Sequence, residues 1–135
     1  MTSNAQPPRF QSFAAFYPFY LGEHRNPTCR ALHFVGSTLV LMLLVWVLIT
    51  QNWWLGILIP IAGYGFAWVG HFFFEKNRPA TFSYPAWSFM GDWVMYSQLL
   101  RGKIGFAPRA DELPFTSAVP PAVMTDPAAS DKVRA

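Results

Sequence analysis

Three histidines and one carboxylate are the residues of this chain whose types and spacing could do chemistry: His24, His33, His71 and Glu75. Glu75 lies four residues after His71, so on a helix the two share a face one turn apart. Two or three imidazoles with a carboxylate and open positions suit a divalent transition metal. The arrangement of two histidines and one carboxylate suits non-haem Fe(II) that activates oxygen. Zinc accepts the same donors and would make a bound water nucleophilic. With three histidines in all, the chain is too poor in imidazole for the two-iron centres of membrane desaturases and hydroxylases.

For these groups to meet, long elements must carry them together. From Ala31 through Phe74 there is no Asp, Glu, Lys or Arg. That span is about twice the roughly 20 residues one helix needs to cross a bilayer. It is broken once, at Thr50, Gln51 and Asn52, which can form a tight turn. The pattern predicts a helix over about Pro27 to Ile49 and a second over about Trp53 to Glu75. Asn26 followed by Pro27 is a helix start, and Trp53 and Trp54 suit the far membrane interface. Pro60, Gly63 and Gly65 in the second helix predict a bend and a close approach to its neighbour.

Mirror arithmetic then aligns the histidines. His33 lies 19 residues before Asn52 and His71 lies 19 after it. In an antiparallel hairpin both sit roughly 28 Å from the turn, at a rise of about 1.5 Å per residue. His24 would face away on a continuous helix, but the break at Asn26 and Pro27 lets the chain fold back and offer a third nitrogen.

The expected fold is therefore all-α: an integral-membrane hairpin of two transmembrane helices, flanked by an N-terminal and a C-terminal amphipathic, interfacial helix. Phe10–Tyr20 is the aromatic-rich candidate for the first, and Ala86–Leu100 for the second. Residues 1–9 read as a flexible N-terminus, 10–106 as the helical domain, and 107–135, rich in Pro and Ala, as a disordered tail. No apolar stretch follows a basic start at the N-terminus, so no cleavable signal peptide is expected. Arg9, Arg25, Arg30, Lys76, Arg78, Arg101 and Lys103 lie on the termini side and the turn carries no charge. Both termini are thus expected in the cytoplasm, as a multi-pass protein of a bacterial inner membrane, or of the endoplasmic reticulum in a eukaryote.

Composition bounds the partners. The chain is 53% hydrophobic and 13% charged, about half the charged share usual in soluble domains. A net charge of +3 is too small and scattered for nucleic acid and suits anionic headgroups instead. The lone Cys29 excludes an intrachain disulfide and a multi-cysteine zinc site, and reads as a small packing residue. Arg78 beside Pro79 is a candidate for gripping a fatty-acid carboxylate. Asn26 and Tyr64 complete the candidate substrate contacts, although residues such as Tyr64 and Trp68 on the second helix are more often packing than substrate-lining. Asp92 reads as a surface charge before a partner orienting a histidine, and Lys76 as a solvated flank.

Two stretches carry a family resemblance. Tyr20–Gly36, YLGEHRNPTCRALHFVG, followed by Gly70–Ala80, GHFFFEKNRPA, resembles the membrane 2-hydroxy fatty acid dioxygenases, the family named in fungi for metabolism of phytosphingosine to odd-numbered fatty acids. The resemblance covers roughly Phe13 to Phe106, in a compact version with a three-residue turn. It implies an Fe(II)-dependent α-oxidation in which a 2-hydroxy fatty acid reacts with O₂ and loses one carbon. It also implies iron held at His24, His33 and His71, with Glu75 as a further ligand or proton acceptor. The competing readings are a non-catalytic membrane scaffold or assembly protein, and a zinc-dependent lipid hydrolase. Lipid and membrane are the expected partners, and the sequence leaves a homo-oligomer open.

Overall fold

The structure, a computed structural model, describes residues 9–109, and every regular element among them is helical. The flexible stretch expected over 1–9 and the tail expected over 107–135 lie outside the described residues, except for Arg9 and residues 107–109.

Helix α1 spans Phe13–Gly22 and starts where the Ser12 hydroxyl accepts from the Ala15 amide at 3.2 Å. A short connector holding His24 leads to α2, Pro27–Thr50. There the Asn26 side chain accepts from the Thr28 amide at 2.9 Å and Pro27 opens the helix, as the sequence predicts. Gln51 ends α2 in the left-handed conformation, φ 53°, and the chain turns back. A 3₁₀ segment, Trp53–Ile57, enters α3, Leu58–Val69, which leaves through a π-helical turn, Gly70–Glu75. After a further 3₁₀ turn at Ala80–Phe82, α4 runs Pro85–Leu100. Helices α1 and α4 overlap the aromatic stretch Phe10–Tyr20 and the stretch Ala86–Leu100 read from the sequence.

Helices α2 and α3 pack as the hairpin. Gly36 makes this possible, because a Cβ there would stand 2.9 Å from Phe66 Cβ and 3.3 Å from the Ala62 carbonyl oxygen. A small residue at the crossing lets two backbones approach, which is how helices associate where no hydrophobic effect drives them.

The compact core lies elsewhere. Phe16, Tyr20, Leu21, Met95, Leu99 and Ile104 are buried together where α1 and α4 close over one end of the hairpin. Aromatic rings fill it: Phe16 packs on Trp87 and Tyr84, and Tyr84 stacks on Trp87 at 5.7 Å between centroids. Away from that end most of the hairpin's large apolar side chains are exposed or half-buried, Val47 being an exception. The two segments Pro27–Thr50 and Trp53–Glu75 are long and apolar enough to cross a membrane, and only 17% and 11% of their most apolar windows are buried. The core helix of a soluble protein would be mostly covered.

Candidate metal centre and adjoining cleft

All three histidines arrive at the capped end of the hairpin. His33 comes from the second turn of α2, His71 from the π-helical turn after α3, and His24 from the connector. Each is buried, at 7%, 3% and 1% exposure respectively. His24 Nε2 is 3.2 Å from His33 Nε2, and His33 Nε2 is 3.3 Å from His71 Nε2. The mirror alignment of His33 and His71 about Asn52 holds, and so does the fold-back that brings in His24.

The opposite ring nitrogens are each held by an oxygen. His24 Nδ1 donates to the Tyr20 carbonyl oxygen, in the last turn of α1, at 2.7 Å. His33 Nδ1 faces the Asp92 carboxylate of α4 at 3.3 Å. His71 Nδ1 contacts Asn77 Oδ1 at 2.8 Å, while the Asn77 amide donates to Glu23 through its carbonyl oxygen at 3.0 Å and its carboxylate at 2.9 Å. A carbonyl and a carboxylate accept only, and the Asn77 amide nitrogen is already committed to Glu23. The three rings are therefore assigned as Nδ1–H tautomers. It follows that three Nε2 lone pairs point at one another, an arrangement that repels unless a cation sits between them.

The spacing fits a metal. Nitrogens held about 2.1 Å from one ion at roughly 90–109° to each other are separated by about 3.0–3.4 Å. A ring whose far N–H is tied to oxygen is also the usual form of a metal-binding histidine. Burial, then the neighbouring His33 and His71 rings, pushes His24 well below its ordinary range, which keeps its lone pair free at neutral pH. Burial, then the Asp92 carboxylate, pushes the Tyr20 hydroxyl well above its own, so it stays protonated and donates to Asp92.

A fourth donor is Cys29. His24, Cys29, His33 and His71 each offer a ligand atom, and these all lie within 4.8 Å of one another. Gly70 presses on Cys29 so closely that a Cβ there would come 2.9 Å from its Sγ. The sequence reading assigned Cys29 to packing alone; it packs and also faces the imidazoles.

Glu75 has a different place. It does not join this group of donors. Its carboxylate accepts from the Asn26 amide, with Arg25 as a second backbone donor, just ahead of α2. Unpaired amides and the positive end of the helix dipole draw a carboxylate there, one turn beyond the ring of imidazoles. Asn26, nominated for substrate, is engaged in capping α2. Arg78 is exposed, with its guanidinium 5.0 Å from the centre of the Phe82 ring. Arg30, counted from sequence among the cations on the termini side of the hairpin, is fully buried. It donates to the His24 carbonyl oxygen and the Gly105 carbonyl oxygen, both at 2.7 Å, and so ties the connector to the chain beyond α4.

A cleft of about 220 Å³ opens from the histidines. Its polar end has His24, His33, His71, Tyr20 and Asp92, and the lining also includes Ser88, Val40, Ile59, Pro60, Gly63, Tyr64, Trp68, Phe89 and Trp93. Tyr64 is one of the residues lining the cleft. Helices α2, α3 and α4 all contribute to its lining.

Sequence reasoning missed three contributors. Asn77 had no assigned role, and nothing in helical periodicity marks it. The left-handed Lys76, φ 56°, reverses the chain and returns Asn77 to His71. Asp92 was read first as a surface charge. The available signal was that it is the sole charged residue of α4. Ser88 had no signal at all.

A family model described as 2-hydroxy-palmitic acid dioxygenase Mpo1-like matches residues 10–104. No curated protein and no solved structure matches the chain.

Proposed function

The chain belongs to the Mpo1-like 2-hydroxy-palmitic acid dioxygenase family, and from that premise we propose that it is an Fe(II)-dependent dioxygenase shortening 2-hydroxy fatty acids by one carbon in a membrane. One observation carries the reading: the buried His33 Nε2 stands 3.2 Å from His24 Nε2 and 3.3 Å from His71 Nε2, with every Nδ1 held at an oxygen. His24, His33 and His71 hold the metal. Once held, Fe(II) supplies the redox chemistry that lets a 2-hydroxy acid and O₂ give the shortened acid, carbon dioxide and water.

The protein's own residues do the rest. Asp92, Asn77 and the Tyr20 carbonyl fix ring orientation and tautomer, which raises ligand basicity. The apolar walls from Trp68 to Ile59 take the acyl chain and exclude water from the polar end. Glu75 locks the connector carrying His24 onto the start of α2 and is a positioning residue in this reading. The hairpin crosses the bilayer, with α1, α4 and both termini at the cytoplasmic interface. The cleft mouth then stands at headgroup depth, where a lipid acid presents its carboxylate.

The test is metal analysis of protein purified in detergent, with product mass on Fe(II) and 2-hydroxypalmitate. Stoichiometric iron and a C15 acid are expected, and His71→Ala should lose both. If His71→Ala retains turnover and bound iron, the reading is wrong. Cys29 favours one second reading: a fourth donor suits zinc and hydrolytic chemistry. That alternative predicts activity on lipid esters under argon, where the dioxygenase is silent.

A further inference from the structure

Ser88 is 1% exposed, lines the same cleft as the three histidines and Asp92, and its hydroxyl has no hydrogen-bond partner among the described residues. Its backbone amide is spent within the chain, donating to the Tyr84 carbonyl oxygen at 2.9 Å. It precedes Asp92 by four residues and so occupies the same face of α4, one turn from the carboxylate that holds His33. Native proteins rarely bury a hydroxyl without a partner, and such a group asks for an explanation. The polar groups beside it are already committed: the Tyr20 hydroxyl to Asp92, Asp92 to His33, and the three Nδ1 atoms to their oxygens.

We propose that Ser88 anchors the substrate head, its hydroxyl donating to a carboxylate oxygen of a 2-hydroxy fatty acid whose chain lies along the apolar walls of the cleft. This rests on the function proposed above. An ionised carboxylate only accepts hydrogen bonds, and a hydroxyl with no acceptor of its own is the complementary group. Inside a water-poor cleft that bond is charge-assisted and therefore stronger than a neutral one. Arg78, the residue that sequence alone nominated for this task, lies exposed against Phe82 and does not line the cleft. A neutral donor also leaves the acid free to be released once shortened.

The experiment uses the full chain in detergent, loaded with Fe(II). Ser88→Ala should raise KM for 2-hydroxypalmitate about tenfold, the scale of one hydrogen bond to a charged group, with the loss falling on KM rather than kcat. Ser88→Thr, which keeps the hydroxyl, should restore KM to within about threefold of the parent protein by the same reasoning. Under argon, where no turnover occurs, 2-hydroxypalmitate should raise the unfolding midpoint of the parent protein and of Ser88→Thr more than that of Ser88→Ala. Without substrate, Ser88→Ala should melt no lower than the parent, because it removes an unsatisfied buried hydroxyl. An unchanged KM and an unchanged substrate-induced shift in Ser88→Ala would overturn the inference. A lower midpoint for Ser88→Ala without substrate would also overturn it, by showing a structural hydroxyl. If the parent protein itself shows neither turnover nor a midpoint shift, the dioxygenase reading fails instead.

Discussion

The two ends of the hairpin follow opposite rules. At the capped end, Arg30, His24, Tyr20 and Cys29 are almost wholly buried, and the ring nitrogens facing away from the centre all have partners. At the far end Trp54 is 89% exposed and Ile49 77%, with Trp46, Trp53 and Ile57 bare beside them. A water-soluble protein hides its large apolar groups and exposes its charges. Here the apolar groups are left outside and the charged ones are drawn in at one end. The difference teaches that the two ends are built for different surroundings: the hairpin leaves an apolar surface of the kind that marks a membrane or partner contact, while the cap closes over polar groups.

The comparison can be broken most severely at the imidazoles. His33→Ala removes the central nitrogen of the three, and turnover should fall at least about 10³-fold with loss of bound iron, read by elemental analysis and product mass. Asp92→Asn and Asn77→Ala leave the ligands and remove their supports. Each should weaken metal affinity about 10–100-fold, measured by chelator competition, with some turnover surviving at saturating iron. Equal losses from His33→Ala and Asn77→Ala would show that the ring is not metal-holding.

The bare half is tested with charge. Met42, 62% exposed near the middle of α2, should tolerate Arg if that face meets water. Facing lipid, Met42→Arg costs about 2.5–3.5 kcal/mol of insertion free energy and should deplete the protein from membranes in a fractionation assay. Gly36→Val tests the joint between the halves. A branched side chain against Phe66 Cβ at 2.9 Å should destabilise the hairpin by about 1–3 kcal/mol, read as a lower unfolding midpoint in detergent. The smallest effect is expected at Lys76. Its φ of 56° is strained for a side-chain-bearing residue, and Lys76→Gly should stabilise the turn by up to about 1 kcal/mol with iron binding unchanged.

Much of this was legible in the residues. The uncharged stretch from Ala31 to Phe74 marked both long helices, and Asn26, Pro27 and the turn at Thr50 to Asn52 marked their limits to within a residue or so. Counting outward from Asn52 placed His33 and His71 level with each other. The place of the Glu75 carboxylate on the amides ahead of α2 was not legible, because spacing reports the helix face and not the pull of those bare amides. Cys29 looked inert because a thiol's neighbours across a helix pair cannot be counted along the chain.

What the sequence determined by itself was whatever a helix repeats locally: where each long apolar helix begins, how far His33 and His71 lie from the turn, and which surfaces are apolar. Periodicity and rise per residue are properties of the backbone, so they can be read without coordinates. Only the tertiary structure decided the partners of the rings. Asp92 reaches His33 because α4 folds across α2, Asn77 reaches His71 because Lys76 reverses the chain, and Ser88 lines the cleft because α4 stands beside it. Those contacts depend on how separate elements pack, and packing selects among many arrangements that the same local pattern would allow.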